Sequence, residues 1–252
     1  RRTFDEVLLE ERLRDALARI NVDEHGHPWL DDTRISQAVN ALTRVPASSL
    51  LEANKYFTDL LLKGVTTDGP NGEKVRTVHF IDWQNPENNE FIAINQFRVD
   101  IPGTGGRQAI VPDIVLFVNG IPLVVIECKK PTETSLGAAV AQIHRYCDSR
   151  IGNPRLFYPV QLTIVTSGED ARLGTVTAEH EHYVPWRDPH PLTMAELAER
   201  RGKTKEQLSR QEILAAGVLD PVNLLNIIHN YVTFMTLDSG STVKVAPRYQ
   251  QF

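Results

Sequence analysis

Cysteine is scarce in this sequence: Cys128 and Cys147 are the only two in 252 residues. Two cysteines leave no disulfide framework and no zinc-type cluster, and nothing points to an oxidising compartment. No apolar run is long enough to cross a bilayer, and the first residues contain no signal-peptide core. The expectation is therefore a soluble, cytoplasmic chain with no membrane partner. Internal repeats and low-complexity tracts are absent, and none of the eight histidines stands in a metal-ligand spacing. Positive charge is short as well, with a formal net charge of −5. Tight binding to a polyanion draws on Lys and Arg that neutralise phosphates, so such a grip would need a local basic patch or a partner. What the chain does have is apolar residues, 41% of the total, enough for a real core. The length suits one large domain, or one domain and part of another.

Hydrophobic periodicity predicts a helix over residues 4–20, with Leu9, Leu13, Ala16, Leu17 and Ile20 in one stripe. Glu6 and Glu10 lie at the edge of that stripe, and Glu11 points elsewhere. Further helices are expected over 34–43 and 48–63, the latter capped by Gly64. Residues 64–76 read as a loop or hairpin, and 75–83 and 90–99 as strands split by Asn85-Pro86-Glu87-Asn88-Asn89. A glycine-rich loop at 103–107 leads to the strand pair 113–129. After it come a helix over 135–147, a buried strand over 160–166 and an extended stretch over 175–186. Pro189 and Pro191 mark a boundary. Beyond it, helices are expected over 193–201, 205–216 and 221–234, then an extended end at 243–252. The reading is an α/β domain over residues 1–190, a mixed central sheet flanked by helices, followed by a helical connector over 191–252.

The strand pair carries the chemistry. Two apolar runs flank Asn119-Gly120; Asp113 stands at the outer end of the first, and Glu127, Cys128 and Lys129 close the second. Glu127 and Lys129 are two apart and share a face, with Cys128 on the other. A plain two-residue turn pairs Asp113 with Ile126 and puts it on the wrong face for Glu127. A three-residue loop with Gly120 left-handed pairs Asp113 with Val125 and unites all three. A metal site therefore requires a bulge or an odd register shift in this hairpin. Asp113 and Glu127 suit Mg²⁺, which takes one or two carboxylates and keeps waters, with the Cys128 carbonyl as a further ligand. Lys129 would offset charge on a phosphate or orient a water. A third carboxylate would come from Glu6 or Glu10, with Glu10 preferred. The next helix adds Gln142 and Tyr146, an i,i+4 pair beside its apolar stripe. Solvation alone also accounts for charges at strand ends and for that helix flank.

Taken together, these residues resemble the PD-(D/E)xK nuclease superfamily, with Pro112-Asp113 and Glu127-Cys128-Lys129 in the motif positions. More closely, the chain resembles the N-terminal nuclease region of the restriction (R) subunit of type I restriction-modification enzymes. The matching residues include Asn85-Pro86-Glu87-Asn88-Asn89, Asn95-Gln96-Phe97, Val118-Asn119-Gly120-Ile121-Pro122-Leu123, Lys130-Pro131 and Gln142-Ile143-His144-Arg145-Tyr146. The resemblance implies a Mg²⁺-dependent endonuclease acting on double-stranded DNA, working with modification and specificity subunits. It implies that cutting accompanies ATP-driven translocation by a helicase-like motor, absent here. It also implies that Gln142 and Tyr146 contact DNA near the active site; Arg107, Lys130 and Arg145 are the expected basic contacts. Arg248-Tyr249-Gln250-Gln251-Phe252 resembles the opening of the motor, which makes a truncated fragment the expectation. Gly202-Lys203-Thr204 imitates a phosphate-binding loop, but Leu197 occupies the position where that loop needs glycine, so it reads as a helix linker. Two rival readings stand beside this one. The first is a non-catalytic module of the same fold that docks the motor or guides DNA. The second is a repair or junction-resolving nuclease of the same superfamily.

Overall fold

Three helices open the chain: α1 (Glu10–Ile20), α2 (Asp32–Thr43) and α3 (Leu50–Lys63). The computed structural model describes residues 3–131, 136–238 and 240–252. Asp31 and Ser49 cap α2 and α3, their side chains accepting the N–H three residues on. α1 begins six residues later than its periodicity predicts, because the preceding segment is pinned elsewhere. The Asp100 N–H donates to the Phe4 carbonyl at 2.7 Å, and the Leu9 N–H to the Gly120 carbonyl at 2.9 Å.

A small hairpin, β1 (Val65–Thr67) and β2 (Arg76–Val78), follows. The strand expected over 75–83 ends at Val78 because side-chain amides replace the ladder beyond it. Asn21 both accepts from the His79 N–H and donates to its carbonyl; Asn119 donates to the Phe80 carbonyl, and Asn89 accepts from the Asp82 N–H. β3 (Phe91–Asn95) stops where Gln96 turns to φ +50°, short of the expected residue 99. β4 (Val99–Asp100) and β5 (Ala109–Ile110) form a separate pair. Next come β6 (Ile114–Val118), β7 (Ile121–Cys128), α4 (Gly137–Cys147), β8 (Leu162–Thr166), β9 (Ala171–Gly174) and β10 (Val184–Pro185). The expected start of α4 at Ser135 lies outside the described residues.

The central sheet has six strands in the order β10-β9-β8-β7-β6-β3. Only β7 and β8 run parallel, joined through α4, so the sheet is mixed as expected. Its two faces carry separate cores. Val115, Phe117, Val125 and Val165 pack with Val140 and Ile143 of α4. Val124, Ile126, Leu162 and Ile164 pack with Leu13, Leu17, Phe57 and Leu61 of α1 and α3.

Beyond residue 190 lie α5 (Met194–Arg201), α6 (Arg210–Val218) and α7 (Pro221–Asn226), a π-helical turn at Ile227–Tyr231, and the hairpin β11 (Thr233–Thr236) and β12 (Thr242–Val245). The expected helix over 205–216 is shifted, because Thr204 caps a 3₁₀ turn and Ser209 then caps α6 anew. The helix expected to reach 234 ends in the π turn, where the chain turns extended into β11, so the segment is not helical throughout. Gly202 ends α5 in the left-handed region, and the Lys203 ammonium grips both Glu212 oxygens at 2.9 Å, as suits a helix linker. This segment is packed on the sheet: Leu214, Val218, Leu224 and Leu225 share the core of α1 and α3. Lys244 of β12 is buried, donating to Asn54 Oδ1 at 2.6 Å and Gln161 Oε1 at 2.7 Å. Burial holds its amine well below the usual lysine range.

At Gly217, α6 comes so close to the Trp186 loop that a Cβ would lie 2.1 Å from the Asp188 carbonyl oxygen and 2.4 Å from Trp186 Nε1. Overpacking of this kind costs about 1–3 kcal/mol. Gly217→Ala is therefore expected to lower the melting temperature by several degrees. An unchanged melting curve would contradict the close docking of α6.

Candidate active site

The geometry of the site begins with the β6–β7 hairpin. Asn119 and Gly120, at φ +51° and +77°, form a two-residue turn with Val118 opposite Ile121. Gly120 is required there: a Cβ would lie 2.5 Å from the Leu9 carbonyl oxygen. Phe117 pairs with Pro122, but Leu116 pairs with Val124, so Leu123 has no opposite residue. The odd shift that the metal-site argument requires is present. It lies in mid-strand rather than in the expected three-residue loop, and it runs the other way. Continuing the register from Ile114 opposite Ile126 sets Asp113 opposite Glu127 rather than Val125. Opposed residues share a face.

The side chains bear out that placement. The Cys128 N–H donates to Asp113 Oδ2 at 2.8 Å, tying the two strand ends together. Gln96 Nε2 donates to Asp113 Oδ1 at 2.9 Å. Gln142 bridges the rest: its Nε2 donates to Glu127 Oε1 at 2.8 Å and to the Tyr146 hydroxyl at 2.6 Å, and its Oε1 accepts from Lys129 Nζ at 2.6 Å. Tyr146 in turn donates to the Val111 carbonyl at 3.2 Å. One amide thus joins the lysine, the second carboxylate and the tyrosine. The Cys128 side chain packs on the opposite core, as alternation predicts.

Glu127 is fully buried, and its Oε2 has no hydrogen-bond partner. Burial, and then the negative charge of Asp113, push its carboxyl up to about 8; Lys129 and Arg145 pull the other way. A buried, unpaired acceptor is costly. Two things relieve it here: a proton shared with Asp113, or a cation between the two carboxylates. The donor set fits a hard divalent ion of the Mg²⁺ type, which needs only one or two carboxylates.

The third carboxylate is not brought in. Glu10 pairs with Arg14 at 2.9 Å, and its backbone adjoins the Leu9–Gly120 contact at the turn end of the hairpin. Asp113 lies at the open end, roughly 20 Å along the strands. Among the described residues no group of three or more His, Cys, Asp or Glu side chains is placed to hold a metal. The preference for Glu10 is therefore corrected: Glu10 opens α1, and the Leu9–Gly120 bond holds that end of the helix at the turn of the hairpin. Lys130 and Arg145 are exposed beside the site, and Arg145 is near enough to act on the Glu127 charge. Arg107 folds back on its own loop, donating to the Thr104 carbonyl at 3.1 Å. The sequence alone gives Gln96 no role in the site. Its left-handed backbone and its contact with Asp113 are the signals that mark it.

A buried carboxyl facing a half-buried one, a lysine and a bridging glutamine at the open edge of a mixed sheet define an α/β domain of nuclease-like build. The family described as type I restriction enzyme R protein N terminus matches residues 1–182, and the chain belongs to it. It is 31% identical, over 98% of its length, to the "Type I restriction enzyme HindI endonuclease subunit" of Haemophilus influenzae. Identity is 29% over 92% of the chain to the "Putative type I restriction enzyme MjaIXP endonuclease subunit" of Methanocaldococcus jannaschii. It is 28% over 81% of the chain to the "Type I restriction enzyme EcoprrI endonuclease subunit" of Escherichia coli. The chain spans 22% of the length of each of the first two and 59% of the third. No helix among the described residues is long and apolar enough to cross a membrane.

Glu127 gives a pH prediction. Its carboxyl ionises near 4.5 unfolded and near 8 folded, so the folded state holds an extra proton between those values. Stability then falls as pH rises through that window, by up to about 1.4 kcal/mol per pH unit, and the loss is complete above the folded value. In chelator, Glu127→Gln is expected to melt at progressively higher temperature than the wild type between pH 5 and 8. Parallel melting curves across that range would rule out the buried, proton-holding carboxyl.

Proposed function

We propose that this chain is a Mg²⁺-dependent endonuclease domain of the PD-(D/E)xK type that hydrolyses phosphodiester bonds of double-stranded DNA. On this reading it serves within a type I restriction subunit. Residues 1–190 form the nuclease unit, and 191–252 lead toward an ATP-driven motor in the same polypeptide. Modification and specificity subunits are the remaining partners, and the cytoplasm is the place of action. The observation that carries the reading is the mid-strand shift that sets Asp113 opposite Glu127, with Glu127 Oε2 buried and unpartnered. A structural hairpin gains nothing from a buried carboxyl oxygen left without a partner. A retired nuclease fold that only docks a motor would not keep it.

Each residue has a part. Asp113 and Glu127 would hold the ion, with the Cys128 carbonyl beside them. When bound, the ion supplies charge stabilisation at the phosphoryl oxygen and makes a water more acidic. Asp113 is aimed by the Cys128 N–H and Gln96, so it needs little reorganisation. Lys129 is held by Gln142 on the same face, where its ammonium offsets charge developing on the phosphate. Gln142 and Tyr146 fix the lysine and the second carboxylate relative to each other, and Lys130 and Arg145 add positive charge for the DNA backbone.

In the full-length subunit assembled with its partners, Asp113→Ala and Lys129→Ala are each expected to lower DNA cleavage by about 100-fold or more. ATP hydrolysis should remain, because the motor is separate. Cleavage that survives either substitution would favour the docking module over the nuclease.

A further inference from the structure

The edge that carries Asp113, Glu127 and Lys129 continues across two more strands. Glu127 of β7 stands opposite Val165 of β8, and Val165 opposite Arg172 of β9. Opposed residues share a face, so Arg172 stands on the Glu127 face, two strands or roughly 10 Å away. The turn between β8 and β9 is closed by the Ser167 N–H donating to the Asp170 carbonyl at 2.9 Å. The carbonyl of Thr166, just before it, accepts the Lys129 N–H at 2.7 Å. The start of α6 reaches the same place. The Arg210 N–H donates to the Glu169 carbonyl at 3.1 Å. A Cβ on Gly168 would lie 3.5 Å from Pro131 Cγ and 3.8 Å from Gln211 Oε1. Three segments distant in sequence therefore meet beside the catalytic lysine.

Two guanidinium groups share one carboxylate there. Arg210 Nη1 donates to Asp170 Oδ1 at 3.0 Å, and Arg172 Nε to Asp170 Oδ2 at 3.4 Å. Their side chains remain 59% and 35% exposed. Exposed pairs of this kind contribute about 0–1 kcal/mol, so an incoming anion displaces them at small cost. A phosphate offers a guanidinium fork shorter, bidentate hydrogen bonds. Lys129 and Lys130 add two more cations along this edge, set against Asp113, Glu127, Asp170 and the exposed Glu169.

We infer that Arg172 and Arg210, aimed by Asp170, clamp a backbone phosphate of the duplex beside the cut, so that the segment after residue 190 forms part of the DNA-binding surface. The clamp deepens the nuclease reading and rests on it for the substrate. Asp170 acts as a positioning residue that releases one fork when phosphate arrives.

The test is binding of a 30-base-pair duplex to the full-length subunit in Ca²⁺, which separates binding from cutting, followed by anisotropy across a KCl series. Arg172→Gln/Arg210→Gln is expected to bind at least tenfold more weakly and to reduce the slope of log K against log salt by about 0.9, the share of the one phosphate the clamp holds. Lys63→Gln, which breaks an exposed pair with Asp59 on α3, should bind as the wild type does. Should the double variant not fold, Arg210→Gln alone should reduce the slope in the same direction, by up to about 0.9. An unchanged slope overturns the clamp, as does an equal loss in Lys63→Gln. Neither result touches the nuclease reading, which fails if Asp113→Ala or Lys129→Ala still cuts.

Discussion

The site depends on one extra residue in a strand. Pro122 has no N–H to give, and a central strand accommodates proline at a bulge. β7 makes that bulge at Leu123, the next residue, whose carbonyl is taken by the Gln161 N–H on the other side of the strand. Without it, the Asn119-Gly120 turn would set Asp113 opposite Ile126. The carboxylate would then face the apolar layer that holds Ile126, Leu162 and Ile164. With it, two carboxylates and a lysine come to one face at the open end of the sheet. The shift is a packing event in the middle of the sheet with a chemical consequence at its edge.

That face is polar but closed. Glu127 sits under α4 with no access to water, so its charge is stabilised only by what the protein or a ligand brings. Gln142 satisfies one oxygen and holds Lys129 with its other end, which leaves Oε2 unsatisfied. A proton relieves this in the free protein, and a cation does so better once Asp113 and Glu127 are both ionised. On the proposed reading the resting site is a coordination shell waiting for its ion, assembled on rigid strands, whose second carboxyl holds a proton until a cation arrives. The α6 segment approaches the same edge, so the part of the chain after residue 190 is tied to the site by position as well as by its shared core.

Much of this is legible in the amino-acid sequence. Pro112-Asp113 and Glu127-Cys128-Lys129 stand out because charge is conspicuous at the ends of very apolar strands. Residue parity alone shows that a plain hairpin cannot unite them. The mixed sheet, α4 with Gln142 and Tyr146 on one flank, and the linker nature of Gly202-Lys203-Thr204 also follow from local pattern. The place of the bulge does not follow, although Pro122 inside a buried run is its signal. The start of α1 is hidden too, because an amphipathic stripe says nothing about a backbone bond from Leu9 to Gly120, 111 residues apart. Glu10 falls away because that bond anchors the head of α1 at the turn end, far from Asp113. The π turn and β11 escape for a similar reason: β11 is stabilised by pairing with β12, which falls at the start of the stretch expected to be extended, and does not read as a strand alone. Arg172 is invisible in the sequence, since its place on the Glu127 face depends on the register of three strands.

The central claim is that Asp113 and Glu127 together form a divalent-ion site. Calorimetric titration with Mn²⁺ tests it most directly, because Mn²⁺ binds carboxylate and water sites readily and follows Mg²⁺ geometry. The wild-type chain and an Asp113→Ala/Glu127→Ala variant would be compared near pH 7 in two buffers of different ionisation enthalpy, with and without a short duplex. The account predicts one ion per wild-type chain, about one proton released per ion as Glu127 ionises, and no binding by the variant. Equal binding by both proteins, or none by the wild type even with duplex present, would contradict it.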